Sequence, residues 1–429
     1  MLRETRGFAS LQEEWDGLYQ SCPSATPFQS WEWLYSWWKV YGQGYYELRL
    51  ITVRSEEGLL VGLLPLMVRR GRLLLLGDRV NILYRHVITP YKDVLVREGW
   101  EEPVARAAAR SLKEMGGWWV ADLQELMPNA AAWEIFGHWD GPKSSAPITD
   151  YVLIRADSWE KLLASLSQNL RSTARRTLRR IEEDGVRREP AAPEDAGRAA
   201  RTLVELHRQL WAGRRIAPEH LSPRYEAFME AAARRMTARG IGRISEFRRD
   251  GTVLVSQFLV FDKDFVGVYL LGVSEGASRR YQFMTLCNWD AMNVASDSNA
   301  YVSWTLETTW EKLRWASEVV SSHRAILGRG RSFWIPYAGY FVLRAGYYSL
   351  RSDAQVYVHS DSAPQWIKTA MERYYTLLSY IHSESAPRGI KSALYRYYAL
   401  RSKYGYGWLR YNYELARTRR GTRRSSASR

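Results

Sequence analysis

The stretch "RRDGTVLVSQFLVFDKDFVGVYLLGVS", residues 248–274, reads as a charged turn, an apolar strand, a second charged turn and a strand that passes through Gly272. Aliphatic and β-branched runs bounded by Asp-Gly and Asp-Lys-Asp turns are hairpin signals. Far upstream, "SEEGLLVGLLPLMVRRGRLLLLGDR" (55–79) repeats the plan: Gly58 closes the first turn, "RRG" forms the second, and Gly77 ends the second strand. One supersecondary unit written twice predicts two related halves.

Working outward, strands and helices alternate around each hairpin. "YELRLITVR" precedes the first hairpin. "KDVLVR", a helical "EEPVARAAARSLKEMG", the strand "WWVADLQEL", a helix near 129–138 and the strand "TDYVLIR" follow it. Around the second, helices near 193–211 and 222–239 lead into "GRISEFRR"; a helix near 279–297, the strand "YVSWTLE" and a further helix come after. This alternation predicts an α/β (α+β) fold with helices covering mixed sheets. Between the halves, "SWEKLLASLSQNLRSTARRTLRRIEEDG" (158–185) carries Leu163, Leu166, Leu170, Leu178 and Ile181 at helical spacing and five arginines from Arg171 to Arg180, and it stops at Gly185. The expected organisation is an N-terminal domain over 1–156, the Arg-rich connector and a second domain over 157–330, and a helical Tyr/Arg-rich extension over 331–429 whose basic tail begins near 416.

Composition narrows the class. The chain has 429 residues, 46% of them hydrophobic, which is enough to fill two or three cores without staples. Two distant cysteines, Cys22 and Cys287, and seven scattered histidines give neither a disulfide framework nor metal-ligand spacing. The N-terminus carries acids and lacks the apolar core of a signal peptide. The longest apolar stretches, "GLLVGLLPLMV" (58–68) and "SFWIPYAGYFVL" (332–343), fall short of the roughly 20 residues a spanning helix needs. A reducing cytoplasm is expected. The net charge of +15 is concentrated at the end, where residues 401–429 hold nine Lys or Arg against one acid, Glu414. Such a tail suits RNA phosphates or the inner face of an anionic membrane, and equally a solvated end that aids solubility.

Several stretches in their order along the chain carry a resemblance: "PFQSWEWLYSWWKVYG" (27–42), "LVGLLPLMVRR" (60–70), "YKDVLV" (91–96), "LRSTARRTLRRIEEDG" (170–185), "LVELHRQLW" (203–211), "VYLLGVS" (268–274) and "WEKLRW" (310–315). Over about residues 7–330 they resemble the BioF2-like, CelD-type acyltransferases of the GNAT superfamily, tandem-domain proteins similar to the FemABX aminoacyl transferases. The resemblance implies two tandem GNAT-like domains with one working site, where strands of the second half splay apart. An acyl donor lies in the splay, a backbone N–H polarises its carbonyl, and an acceptor amine or hydroxyl attacks. The implied donor is acetyl-CoA or another acyl-CoA, with no metal. The implied acceptor is a small-molecule or lipid-linked saccharide of exopolysaccharide, cellulose or cell-envelope assembly. Aminoacyl transfer from charged tRNA is the alternative within the fold, and a non-catalytic glycan- or membrane-binding scaffold is the alternative outside it. A monomer is expected.

Candidate residues follow. Lys312, at the end of "YVSWTLE" and among Trp304, Trp310 and Trp315, could hold an anionic group or the oxyanion, or be an exposed charge on a short helix. Glu307 could deprotonate an attacking amine or pair with Arg314. Tyr269 is placed with these as a catalytic hydroxyl. Gln257, Tyr281, Trp315, His207 and Asp93 are the substrate-side candidates, each with a packing alternative: Gln257 as a satisfied core amide, His207 as a helix-packing ring. Where the family shows a Ser-Pro-Gly turn that cradles pyrophosphate, this chain reads "SRRYQFMT" (278–285), so Arg279, Arg280 and Gln282 are the donor-side candidates. The family's aspartate in the closing strand is replaced by Ser303.

Overall fold

The computed structural model describes residues 1–77, 88–211, 218–298, 300–305 and 309–329. The chain divides into two compact units, one of 1–78, 87–210 and 223–345, the other of 79–86, 211–222 and 346–429. Of the second unit, the described residues form one 3-10 turn, Pro218–Leu221. Everything below concerns the first.

The first half opens with helices α1 (Thr5–Ser10), α2 (Gln12–Gln20) and α3 (Trp31–Trp37). Strands β1 (Glu47–Arg54), β2 (Leu60–Arg69), β3 (Arg72–Leu75) and β4 (Leu95–Val96), helix α4 (Glu101–Glu114), strand β5 (Val120–Leu126), helix α5 (Ala132–His138) and strand β6 (Lys143–Ile154) follow. The connector forms α6 (Trp159–Ser165) and α7 (Gln168–Glu183). The second half is β7 (Arg187–Pro190), α8 (Ala196–Leu210), α9 (Pro223–Arg239), β8 (Gly242–Arg249), β9 (Thr252–Asp262), β10 (Phe265–Val273), α10 (Glu275–Arg280), α11 (Phe283–Ser298), β11 (Tyr301–Trp304), α12 (Trp310–Leu313) and β12 (Glu318–Gly328).

Both expected hairpins form. The second hairpin turns at Asp262-Lys263-Asp264, with Lys263 at φ 51°, while at Arg70-Gly71 of the first hairpin and at Asp250-Gly251, which joins β8 to β9, both turn residues take positive φ, 49° and 73° and 48° and 74°. That is the turn geometry whose twist matches paired strands, and glycine makes it accessible. The connector departs from the single helix expected: it breaks at Leu166-Ser167, and the Arg171 guanidinium donates to the carbonyls of Ala164 and Leu166, satisfying the end of α6. Gly185 does follow α7, with φ 66°. The strand β12 falls where only a helix was expected after "YVSWTLE".

All twelve strands belong to one mixed sheet, ordered β1-β2-β3-β5-β12-β6-β11-β10-β9-β8-β7, with β4 off the path on β2. The order shows an exchange. β12, the last strand of the second half, pairs antiparallel with β5 of the first, and β6, the last strand of the first half, pairs antiparallel with β11 of the second. The two exchanged strands also pair with each other, from Glu318↔Leu153 to Leu327↔Lys143. Each half thereby closes the open edge of the other, removing two unpaired strand edges. One apolar core gathers around α4, with Val104, Ala108 and Leu112 on Leu64, Leu73 and Leu123. A second gathers under α6, α7 and α11, with Leu162, Ala174 and Ala291 on Val152, Leu259 and Val302.

Candidate functional site

In the second half, β10 and β11 run parallel and pair only from Phe265↔Tyr301 to Val268↔Trp304. Just beyond, the pairing of β10 with β9 slips between Val268 and Leu270, so Tyr269 is the extra residue of a β-bulge. A bulge bends its strand and increases the local twist. Past Val268, the β11-side ladder of β10 has therefore ended while the strand continues to Val273. Thr305 marks the point of divergence: its hydroxyl and its N–H both donate to the Val268 carbonyl, at 3.1 and 3.4 Å.

The open edge is bordered by a histidine. Helix α8 approaches β10 closely at Gly272, where a Cβ would lie 2.6 Å from the Leu203 carbonyl oxygen and 2.7 Å from Leu206 Cβ, so only glycine fits. This approach brings buried His207 to the Leu271 carbonyl, 2.6 Å from Nδ1. A carbonyl can only accept, so Nδ1 carries a hydrogen.

Opposite, the Lys312 ammonium lies 5.2 Å from the centre of the Trp304 ring, on the residue that ends the parallel ladder. The indole N–H of Trp304 donates to Asn288 Oδ1 at 2.9 Å, and the buried Asn288 Nδ2 has no partner among the described residues. Lys312 is half-buried on the short helix α12. Trp315 is core, stacked on Trp159 at 6.0 Å and 22°. Glu307 lies outside the described residues.

Other sequence candidates settle elsewhere. Tyr269 turns into an aromatic cluster with Trp33, Phe28 and Phe258, and its hydroxyl donates to the Ile88 carbonyl at 2.8 Å. Burial first, then neighbouring tyrosines, hold it well above the usual phenol range. Gln257 is fully buried and donates to Asp290 Oδ2 at 2.6 Å; Arg188 and Arg243 hold the other oxygen, each at 2.8 Å. Asp93 ties three segments together by accepting from Ser24, Ala131 and Ala132 at 2.8–2.9 Å, which caps α5. Burial outweighs those bonds and pushes its carboxyl up to about 6.

At the donor side, Arg280 and the Tyr281 hydroxyl both bond Asp184, the C-cap of α7, and hold that carboxyl well below its ordinary range. Arg279 pairs with Glu275 on its own helix. Gln282 is itself the cap of α11: its side-chain oxygen accepts from the Thr285 N–H at 2.6 Å. The structure places His207 on the Leu271 carbonyl of β10 and Lys312 over Trp304 at the end of β11. It sets Asp93 and Gln257 in separate polar networks. Sequence reasoning missed Thr305, Asn288 and the Tyr91 hydroxyl, which lies 2.6 Å from Ser303 Oγ on β11. Of the two partners in that contact, Ser303 is the one the sequence marks, as the replacement for the family's aspartate.

Residues 168–301 match the acetyltransferase (GNAT) domain family. No curated protein sequence matches the chain. Among solved structures, FemX superposes with a TM-score of 0.52 at 12% identity over 73% of this chain and 95% of FemX. The C-terminal domain of a putative lysylphosphatidylglycerol synthetase from Agrobacterium fabrum gives 0.47 at 11% identity over 79% and 96%. A tandem GNAT protein from the clavulanic acid biosynthesis pathway gives 0.37 at 12% over 75% and 96%. At these identities the likeness to FemX is one of fold. With a strand pair that diverges at a bulge inside the matched segment, residues 168–301 are a GNAT acetyltransferase domain, and the protein that carries it is an acyltransferase built on a FemX-like fold.

Proposed function

We propose that this protein moves an acyl group from acetyl-CoA or a related acyl thioester to an amine or hydroxyl of a saccharide, lipid-linked or cell-envelope acceptor, in the manner of the BioF2-like, CelD-type enzymes of exopolysaccharide assembly. The observation that carries the reading is the parallel ladder ending at Val268↔Trp304 beside the bulge at Tyr269. The thioester supplies an activated carbonyl and a sulfur leaving group. Main-chain groups of the bulge face the place where carbonyl charge develops, and one such contact is worth on the order of 3–4 kcal/mol. Lys312, over the Trp304 face, adds a positive charge at the mouth. His207, on the Leu271 carbonyl, is the candidate to take the acceptor's proton as the new bond forms and to return it to the departing sulfur as the carbon–sulfur bond breaks.

A second reading, aminoacyl transfer from charged tRNA, is favoured by one observation. The groups that would meet a donor's phosphates at the start of α11 are already engaged, Gln282 as cap and Arg280 with Asp184. Among the described residues no helix is long and apolar enough to cross a membrane. The readings separate in a thermal-shift titration: acetyl-CoA raises the melting temperature under the first. Under the second it does not, and RNA that co-purifies at low salt is lost at high salt. Mass spectrometry of ligands carried through gentle purification identifies the donor directly.

A further inference from the structure

Among the described residues, five that are not glycine take positive φ. Arg70, Asp250 and Lys263 lie in hairpin turns, where this conformation is ordinary. The other two are Tyr91, at φ 52°, and Glu125, at φ 60°, which lies within strand β5; they are 3% and 2% exposed. Left-handed backbone in a bulky, buried residue is costly and persists only where its surroundings demand it.

The two outliers are linked. The Glu125 carboxylate accepts from the Tyr151 hydroxyl at 2.7 Å, the Ser322 hydroxyl at 2.8 Å and the Thr149 hydroxyl at 3.0 Å, which come from the exchanged strands β6 and β12. Both pairings of β12 slip here, against β6 between Ser322 and His323 and against β5 between His323 and Ala325. The Tyr151 ring packs on the Tyr91 ring at 4.8 Å, and the Tyr91 hydroxyl meets Ser303 on β11, one residue before Trp304. A strained carboxylate in the first half is thus joined, through two tyrosines, to the strand that forms one wall of the divergence in the second.

We propose that Glu125, Tyr151 and Tyr91 are positioning residues for acyl transfer: their chain of contacts holds β11 at Ser303 and so sets where it parts from β10. A glycine at 125 would carry the backbone without strain but take the carboxylate away from the buried Tyr151 and Ser322 hydroxyls and the half-buried Thr149 hydroxyl. The strain is the consequence of aiming a carboxylate at the exchanged strands from inside β5. That the chain serves a donor slot rests on the function proposed above; that it restrains β11 does not.

Hydrogen exchange of the full chain tests the restraint in Glu125→Gln, Tyr91→Phe and Ser303→Ala. Amides of 300–305 should exchange about tenfold faster or more in each variant while α4 keeps its protection, because local openings of separate elements are independent. Unchanged exchange at 300–305 in Tyr91→Phe and Ser303→Ala, or an equal rise in α4, overturns the proposal, and these two variants decide it if Glu125→Gln does not fold. The slot role is read from acetyl-CoA affinity at unchanged melting temperature, expected to weaken several-fold. Faster β11 exchange with unaltered affinity overturns that role. If the unsubstituted protein gives no acetyl-CoA shift at all, the donor reading fails while the exchange result on β11 stands.

Discussion

Asp122 and Trp304 occupy corresponding places in the two halves, each ending a short parallel ladder: β3 with β5 closes at Leu74↔Asp122, β10 with β11 at Val268↔Trp304. Their surroundings are opposite in kind. Asp122 is fully buried and clamped by Arg72 at 2.6 Å and by Arg324, which arrives on the exchanged strand β12. Trp304 is capped by Asn288 and overlaid by a single half-buried lysine, with a bulge and a histidine-bound carbonyl across from it. A buried ion triad fixes geometry and fills space. A cation over an indole leaves room for a ligand's own charge. The same position in the fold carries a buried ion triad in one half and an indole overlaid by a lysine in the other.

The largest test of that contrast is Asp122→Asn, which strips the counter-charge from two buried guanidinium groups. Removing one partner of such a set costs about 3–5 kcal/mol, so denaturant unfolding should show a loss of that order. A loss below 1 kcal/mol would mean that the triad does not close the first half.

Next comes pH. Asp93 binds the first half together from a folded-state value of about 6, above its unfolded value of 3.8. The folded state therefore holds an extra proton between those values. Stability from this group is full below about pH 4, falls as pH rises to 6, and is flat above, a change of about 3 kcal/mol. Asp93→Asn should flatten that slope in unfolding measured from pH 4 to 7; a slope that survives assigns it to other groups.

Gly272→Ala tests the open half. A methyl group driven against the Leu203 carbonyl costs about 1–3 kcal/mol as overpacking, and it should push His207 from Leu271, lowering transfer more than it lowers stability. Equal effects on both would remove His207 from the site. The smallest stability effect belongs to Lys312→Met. A partly exposed cation–π contact is worth about 0.5–1 kcal/mol, so the melting temperature should barely move while the acetyl-CoA response falls. An unaltered response would leave Lys312 as a surface charge.

How much of this could be read beforehand depends on sequence distance. The hairpins were legible because turn and strands are contiguous, and Arg-Gly and Asp-Gly announce their backbone geometry locally. The α8 helix with His207 was legible as a periodic stretch, although nothing in "LVELHRQLW" tells that the ring will meet Leu271. "EVVSSHRAILG" was not read as a strand, since its partners β5 and β6 lie far upstream and its polar residues obscure the alternation. Nothing in "WWVADLQEL" marks Asp122 and Glu125 as buried residues. Their burial comes from β12 being laid beside them.

By itself, the sequence determined what local chemistry can determine: two hairpin-centred halves, the arginine-rich link between them, cores supplied by apolar periodicity, and an acyltransferase pattern in the second half. Tertiary structure alone decided which strands were exchanged, which parallel ladder was sealed by ions, and which residues bore strain. Those outcomes turn on β12 being laid against strands far upstream, as where Arg324 reaches Asp122 and Ser322 reaches Glu125, and there burial turns a carboxylate from a solvated charge into a group that must find partners.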